Sequence, residues 1–104
     1  MSILDKQLRV FMSDGTVWDV PVFAIADNRT CFYDTDYCSM SHSEVFKDTV
    51  RLFEECERKV IDWATNQMDW AEAVDDAVMV QDSMFRDDSV YQEDWVHGDK
   101  KVVE

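Results

Sequence analysis

Residues 7–20 roughly alternate polar and apolar side chains on either side of a turn. Gln7–Met12 and Val17–Val20 carry the β-branched and aromatic residues that favour strands, and Ser13–Thr16 between them is typical of a tight turn. This pattern predicts a β-hairpin. Pro21 suits the first turn of a helix, and the apolar positions after it recur at mixed three- and four-residue steps. The spacing therefore predicts a helix over about 21–35.

The longest periodic signal lies in the middle of the chain and predicts an amphipathic helix over roughly 43–66. Apolar positions recur there every three or four residues, and the opposite face is charged. That face includes Glu54 with Arg58, an i,i+4 pair that favours helix. Cys56 falls on the apolar side of the pattern, so we expect its thiol to be buried.

Three shorter elements are predicted beyond the long helix. Asp69 is placed to cap a short helix that begins at Trp70. The apolar triplet 78–80 favours a third strand paired with the hairpin, with a loop bedded on the core as the alternative. The triplet 87–89 is typical of a cap for a last helical turn that runs through Trp95 and ends at Gly98.

These elements predict an α+β fold in which the N-terminal hairpin, with its third strand, packs on two main α-helices. The 104 residues form one domain, 1–104, and a hydrophobic content of 46% is enough to close a core. The acidic C-terminal stretch 82–104 is the part of the chain in which we expect irregular structure. We expect the following residues to be largely buried: Val10, Phe11, Trp18, Phe23, Phe46, Val50, Phe53, Val60 and Ile61.

The net charge of the chain restricts the classes of molecule that it can bind. The chain has 23 acidic and 10 basic residues, a formal net charge of −13. Such a surface disfavours direct binding to nucleic acid or to anionic lipid, and no apolar run is long enough to span a bilayer. The N-terminus lacks the basic and long apolar regions of a secretory signal, and the three cysteines are an odd number. We therefore expect a cytoplasmic protein in a reducing compartment.

The negative charge is concentrated in the last third of the chain. Residues 62–99 hold 11 acidic residues against the single Arg86, a net of −10, interleaved with aromatic side chains. One interpretation is a solvated surface that maintains solubility. The other is a carboxylate surface that mimics nucleic acid and occupies a basic nucleic-acid-binding surface of a protein partner, with Trp anchors. The predicted partner-binding residues are Asp69, Glu72, Asp75, Asp76, Asp82, Asp87, Asp88, Glu93, Asp94, Trp70 and Trp95.

No pattern in the chain indicates catalysis. Neither His42 nor His97 stands in a recognisable nucleophile–base arrangement, and two glycines cannot build a phosphate-binding loop. Cys31, Cys38, His42 and Cys56 lack the spacing of a zinc knuckle. We therefore predict a protein that is not an enzyme, with no cofactor and no dedicated metal site.

The stretches 9–21, 61–70 and 91–100 resemble small phage and prophage proteins of unassigned activity. The resemblance lies in the general order of features: an early hairpin, an acidic helical middle and a Trp-bearing end. It implies an accessory gene product acting in an infected bacterial cytoplasm. Small acidic proteins of that kind include anti-CRISPR and anti-restriction inhibitors that occlude DNA-binding surfaces.

Self-association provides the alternative function, that of a small structural or regulatory accessory protein of a phage. Four Trp and six Met in 104 residues exceed what a small two-layer core is expected to bury, which predicts a homodimer unless the core is unusually dense.

Overall fold

The computed structural model describes residues 2–34 and 42–104. It confirms the α+β class: within these residues a four-stranded antiparallel sheet packs with five α-helices. Two short 3-10 turns precede β1 and α5, at 3–5 and 88–90. The elements are β1 (Gln7–Phe11), β2 (Val17–Pro21), α1 (Val22–Asp34), α2 (His42–Glu55), α3 (Arg58–Gln67), α4 (Trp70–Ala73), β3 (Val78–Gln81), α5 (Tyr91–His97) and β4 (Lys100–Val103).

The sheet has the strand order β3-β2-β1-β4. The predicted hairpin is confirmed, with Leu8 opposite Val20 and Val10 opposite Trp18, and Gly15 closes its turn at a φ of +92°, which only glycine adopts without strain. The predicted third strand, β3, is an edge strand paired with β2. β4 was not expected from the sequence, because lysines and acidic neighbours mask its two valines.

The predicted helix over 43–66 is wrong in one respect, because α2 and α3 are separate helices joined at Cys56 and Glu57. The N-terminal turn contacts α2 close to this break: Glu54 accepts a hydrogen bond from the Ile3 N–H (3.4 Å), and Lys6 pairs with Glu57 at 2.6 Å. Helical periodicity carries no information about such a tertiary contact. Cys56 is exposed rather than buried, since it lies at the break.

The core differs from the prediction at two phenylalanines. Phe53, Val10 and Val60 are buried, while Trp18, Phe46, Val50 and Ile61 are partly buried against the core. Phe11 is 38% exposed, because its strand position places it on the other face of the sheet from Leu8 and Val10. Phe23 is 53% exposed in the first turn of α1.

The C-terminal stretch 82–104 is not irregular as a whole, since it contains α5 and β4. Asp87 caps the 3-10 turn that leads into α5, where it accepts a hydrogen bond from the Ser89 N–H. The helix α5 itself has no side-chain cap at its start, and Gly98 is its C-cap, as predicted. Order in this stretch comes from aromatic packing. Tyr91 and Trp95 are buried beside Trp70, with Trp70 ring centroids 5.8 and 5.7 Å away.

Candidate partner-binding surface

Two of the predicted partner-binding carboxylates hold α4 in place. Asp69 and Glu72 form a capping box at the helix start, in which Glu72 accepts a hydrogen bond from the Asp69 N–H at 3.0 Å. The second oxygen of Glu72 accepts from the Asn28 side chain on α1 at 3.1 Å. Both carboxylates are exposed, but their hydrogen bonds stabilise the start of α4 and its contact with α1.

Three more of these carboxylates organise the loop between β3 and α5. Asp94 on α5 accepts hydrogen bonds from the N–H and hydroxyl of Ser13, at 2.8 and 2.7 Å, and so binds the helix to the hairpin turn. Asp87 caps the 3-10 turn through Ser89. Asp82 accepts from the Ser83 N–H and lies 3.8 Å from the Arg86 guanidinium.

Asp14, in the predicted hairpin turn, also contacts the loop between β3 and α5, which the sequence did not indicate. Its carboxylate accepts the N–H and hydroxyl of Thr16, at 2.9 and 2.7 Å, and the N–H of Asp87 at 2.9 Å. Burial opposes the charged form, but these hydrogen bonds outweigh it and lower the pKa of Asp14 to about 2. An ionised Asp14 therefore fixes where the acidic loop leaves the sheet.

Trp70 and Trp95 are buried, so they belong to the core and are not the exposed binding anchors that the sequence predicted. Trp95 is 0% exposed and its indole donates to the Met68 carbonyl at 2.9 Å, while Trp70 is 8% exposed. With Trp18 and Tyr91 they form an aromatic cluster, in which Trp18, Trp70 and Tyr91 meet edge to face and the Trp70 and Trp95 rings are tilted at 49°. Because one chain buries these two tryptophans itself, they no longer argue for a dimer.

The remaining predicted carboxylates point to solvent. Asp75, Asp76, Asp88 and Glu93 are exposed, and Glu93 lies 4.0 Å from His97. Asp75 and Asp76 follow α4, Asp88 lies in the 3-10 turn before α5, and Glu93 lies in the first turn of α5. The helices α4 and α5 pack against each other. We define these four residues as the outward carboxylates.

Four exposed apolar side chains lie in the acidic stretch 62–99, which we call the acidic region, and we name them the β3 apolar segment: Val78, Val80, Met84 and Phe85. Met84 is 95% and Phe85 80% exposed. Asp82 and Asp87 flank the pair in sequence. The sequence carries a signal for Met84 and Phe85, namely an apolar pair with no periodic apolar neighbours.

A cavity of about 250 Å³ is lined by Arg29, Tyr33 and Trp63, where the guanidinium lies 4.7 Å from the Tyr33 ring centroid. Cys31 and Cys56 are exposed, whereas Cys38 and the side chain of His42 lie outside the described part of the chain. No group of three His, Cys, Asp or Glu side chains within 2–33 and 43–104 is arranged to hold a metal ion.

Comparisons with protein-family models, curated proteins and solved structures find no match for this chain. In the part of the chain that the structure describes, none of the helices has both the length and the apolar character needed to cross a membrane.

Proposed function

We propose that this protein is a non-enzymatic inhibitor that binds a basic, nucleic-acid-binding surface of another protein and blocks access of nucleic acid to it. The observation that carries the proposal is the exposure of Met84 and Phe85 within the acidic region. Large apolar side chains that protrude among carboxylates supply contact area, while the surrounding charge selects a basic partner.

Charge and apolar contact have separate tasks in this proposal. The net charge of −13 steers the protein towards a basic surface and makes association fast and dependent on salt. Individual exposed ion pairs contribute only about 0–1 kcal/mol, so no single outward carboxylate dominates. Burial of Phe85 and Met84 supplies the hot spot, and we expect loss of both side chains to cost about 2 kcal/mol or more of binding free energy.

The fuller form of the proposal names the partner class. A basic surface built to grip phosphates is the surface that carboxylates can occupy in place of nucleic acid. The resemblance to small phage proteins favours a host defence effector, of the CRISPR-Cas or restriction type, as that partner in a bacterial cytoplasm. Capture of partners by the immobilised full chain from nuclease-treated bacterial lysate tests this, because nuclease removes proteins bridged by DNA.

Two matched variants show whether the captured partner uses the predicted surface. The first changes the outward carboxylates Asp75, Asp76, Asp88 and Glu93 to Lys and spares Asp87, which caps a turn. The control changes four exposed carboxylates outside the acidic region to Lys: Asp5, Asp27, Glu55 and Glu104. Both variants carry a formal charge of about −5, starting from −13, so a simple charge effect reduces binding equally.

We expect the first variant to lose the partner while the control retains most of its affinity. We also expect binding to weaken steeply with salt, and the captured partner to lose its own nucleic acid as this protein is added. Equal binding by both variants and the native chain, with normal folding by circular dichroism, would make the acidic region a solubility feature. Binding that strengthens with salt, to a second copy of the chain, would favour self-association instead.

A further inference from the structure

The free edge of β3 is the second feature of the acidic region. β3 ends the strand order and is bonded to β2, so within the described residues its other side has no strand partner. The pairing with β2 is interrupted by a register shift between Val17 and Trp18. Val78 and Val80 are 60% and 46% exposed along this strand.

Along an antiparallel strand, the backbone groups of successive residues point alternately to one neighbouring strand and to the other side. This alternation identifies the β3 backbone groups that point to the free edge. The Met12 N–H donates to the Thr16 carbonyl at 2.9 Å, so Met12 and Thr16 form a hydrogen-bonded pair. Two residues further along, Trp18 directs its backbone groups at Val10 on β1 and not at β3. Met79 lies opposite Trp18, and its N–H and C=O therefore point away from β2, to the free edge.

Charge selects what can pair with these groups. Asp75, Asp76 and Asp82 flank β3 and are exposed, so a second copy of this acidic chain is repelled from the edge. A strand that carries lysine or arginine is attracted to the same carboxylates, and its alternate apolar side chains find Val78 and Val80 beside them.

From this edge we infer that β3 accepts an extended basic segment of the partner protein as an additional strand. The inference rests on the proposed function and makes it specific: the partner contributes a strand of alternating basic and apolar residues, hydrogen-bonded to the Met79 backbone. Main-chain bonds supply affinity, and the flanking carboxylates supply selection.

A synthetic peptide of seven alternating Lys and Val residues tests this with the full chain. The matched control peptide has the same side chains but carries a methyl group on every internal backbone nitrogen, so it retains charge and cannot donate backbone hydrogen bonds. We expect the methylated peptide to bind at least tenfold more weakly. We also expect the unmethylated peptide to slow hydrogen exchange of the Met79 N–H.

A pair of protein variants controls for charge. Val78→Lys places one positive charge on the β3 edge, and Gln67→Lys places the same charge on an exposed position of α3. Both positions are exposed, so both variants should fold. We expect Val78→Lys to weaken binding of the unmethylated peptide about tenfold and Gln67→Lys to change it less than twofold.

The outcomes separate this inference from the function on which it rests. Equal binding of both peptides, with no change at Met79, overturns strand addition but leaves a charge-driven interface intact. No binding of the unmethylated peptide at millimolar concentration also overturns it, while the capture experiment judges the proposed function separately. Protection of the Met79 N–H that increases with concentration of the protein alone assigns the edge to a second copy and overturns a basic partner strand.

Discussion

The buried indole of Trp95 makes a clear contrast with the exposed ring of Phe85. Trp95 is enclosed and hydrogen-bonded, whereas Phe85 is 80% exposed. We expect Trp95→Ala to cost about 3–5 kcal/mol of unfolding free energy, as for other buried aromatic side chains. Phe85→Ala should change stability by less than about 0.5 kcal/mol. Urea denaturation of both variants measures this, and equal losses would contradict the assignment of one residue to the core and the other to the surface.

Ionisation of Asp14 makes the free energy of unfolding depend on pH in the acid range. Its pKa is about 2 in the folded protein, below the ordinary value of 3.8, so its contribution is present above about pH 4 and is lost as the pH falls towards 2. We expect Asp14→Asn to be less stable than the native chain by about 1–2 kcal/mol at pH 7. Urea denaturation at pH 7 and pH 2.5 should show that this difference shrinks in acid. A difference that stays constant would mean that ionisation of Asp14 is irrelevant.

The local signals in the sequence explain which elements could be predicted. The hairpin, α1, the Asp69 cap and the Asp87 cap depend on neighbours in sequence, and all four are present. The break between α2 and α3 contains no Gly or Pro, and the N-terminal turn that contacts it is distant in sequence. β4 depends on how it packs against the rest of the molecule. The Lys100 ammonium group lies 5.8 Å from the centre of the Trp95 ring, and burial lowers the pKa of Lys100.

The candidate surface was less predictable than the fold. Sequence reasoning located the acidic region but could not separate carboxylates with a structural task, such as Asp94, from outward ones such as Asp75. That distinction depends on hydrogen-bond partners such as Ser13, which is far away in the sequence. The same limit applies to Trp70 and Trp95, whose burial depends on how α4 and α5 pack.

The junction of α5 and β4 depends on Gly98. A Cβ atom there would meet the Asp94 carbonyl oxygen and would lie 3.0 Å from the Phe11 carbonyl oxygen, and neither backbone group can move easily. We expect Gly98→Ala to destabilise the protein by about 1–3 kcal/mol. Asp99→Ala is the control, because Asp99 is exposed and contributes its backbone carbonyl to the Phe11 N–H. Thermal denaturation that ranks the two variants equally would contradict this view of the junction.

The excess of negative charge acts on the whole molecule. With a net charge of −13, repulsion among carboxylates opposes the compact state, and salt screens it. We expect NaCl raised from about 0.05 to 0.5 M to stabilise the native chain by about 1 kcal/mol, or roughly 4–8 °C in Tm. The variant with the four outward carboxylates changed to Lys should gain less. Equal gains would show that salt acts on something other than this repulsion.

The pairing of β1 with β4 has a consequence for the order in which the chain folds. β1 pairs with β2 across a short turn, but Leu8 pairs with Val102 only after a loop that contains nearly the whole chain has closed. Closing so large a loop is slow compared with forming a hairpin, so β4 should dock after the folding transition state. We expect Val102→Ala to accelerate unfolding and leave the refolding rate nearly unchanged, whereas Val20→Ala should slow refolding. Stopped-flow measurements in urea give both rates, and a slower refolding of the Val102 variant would place β4 among the first strands to form.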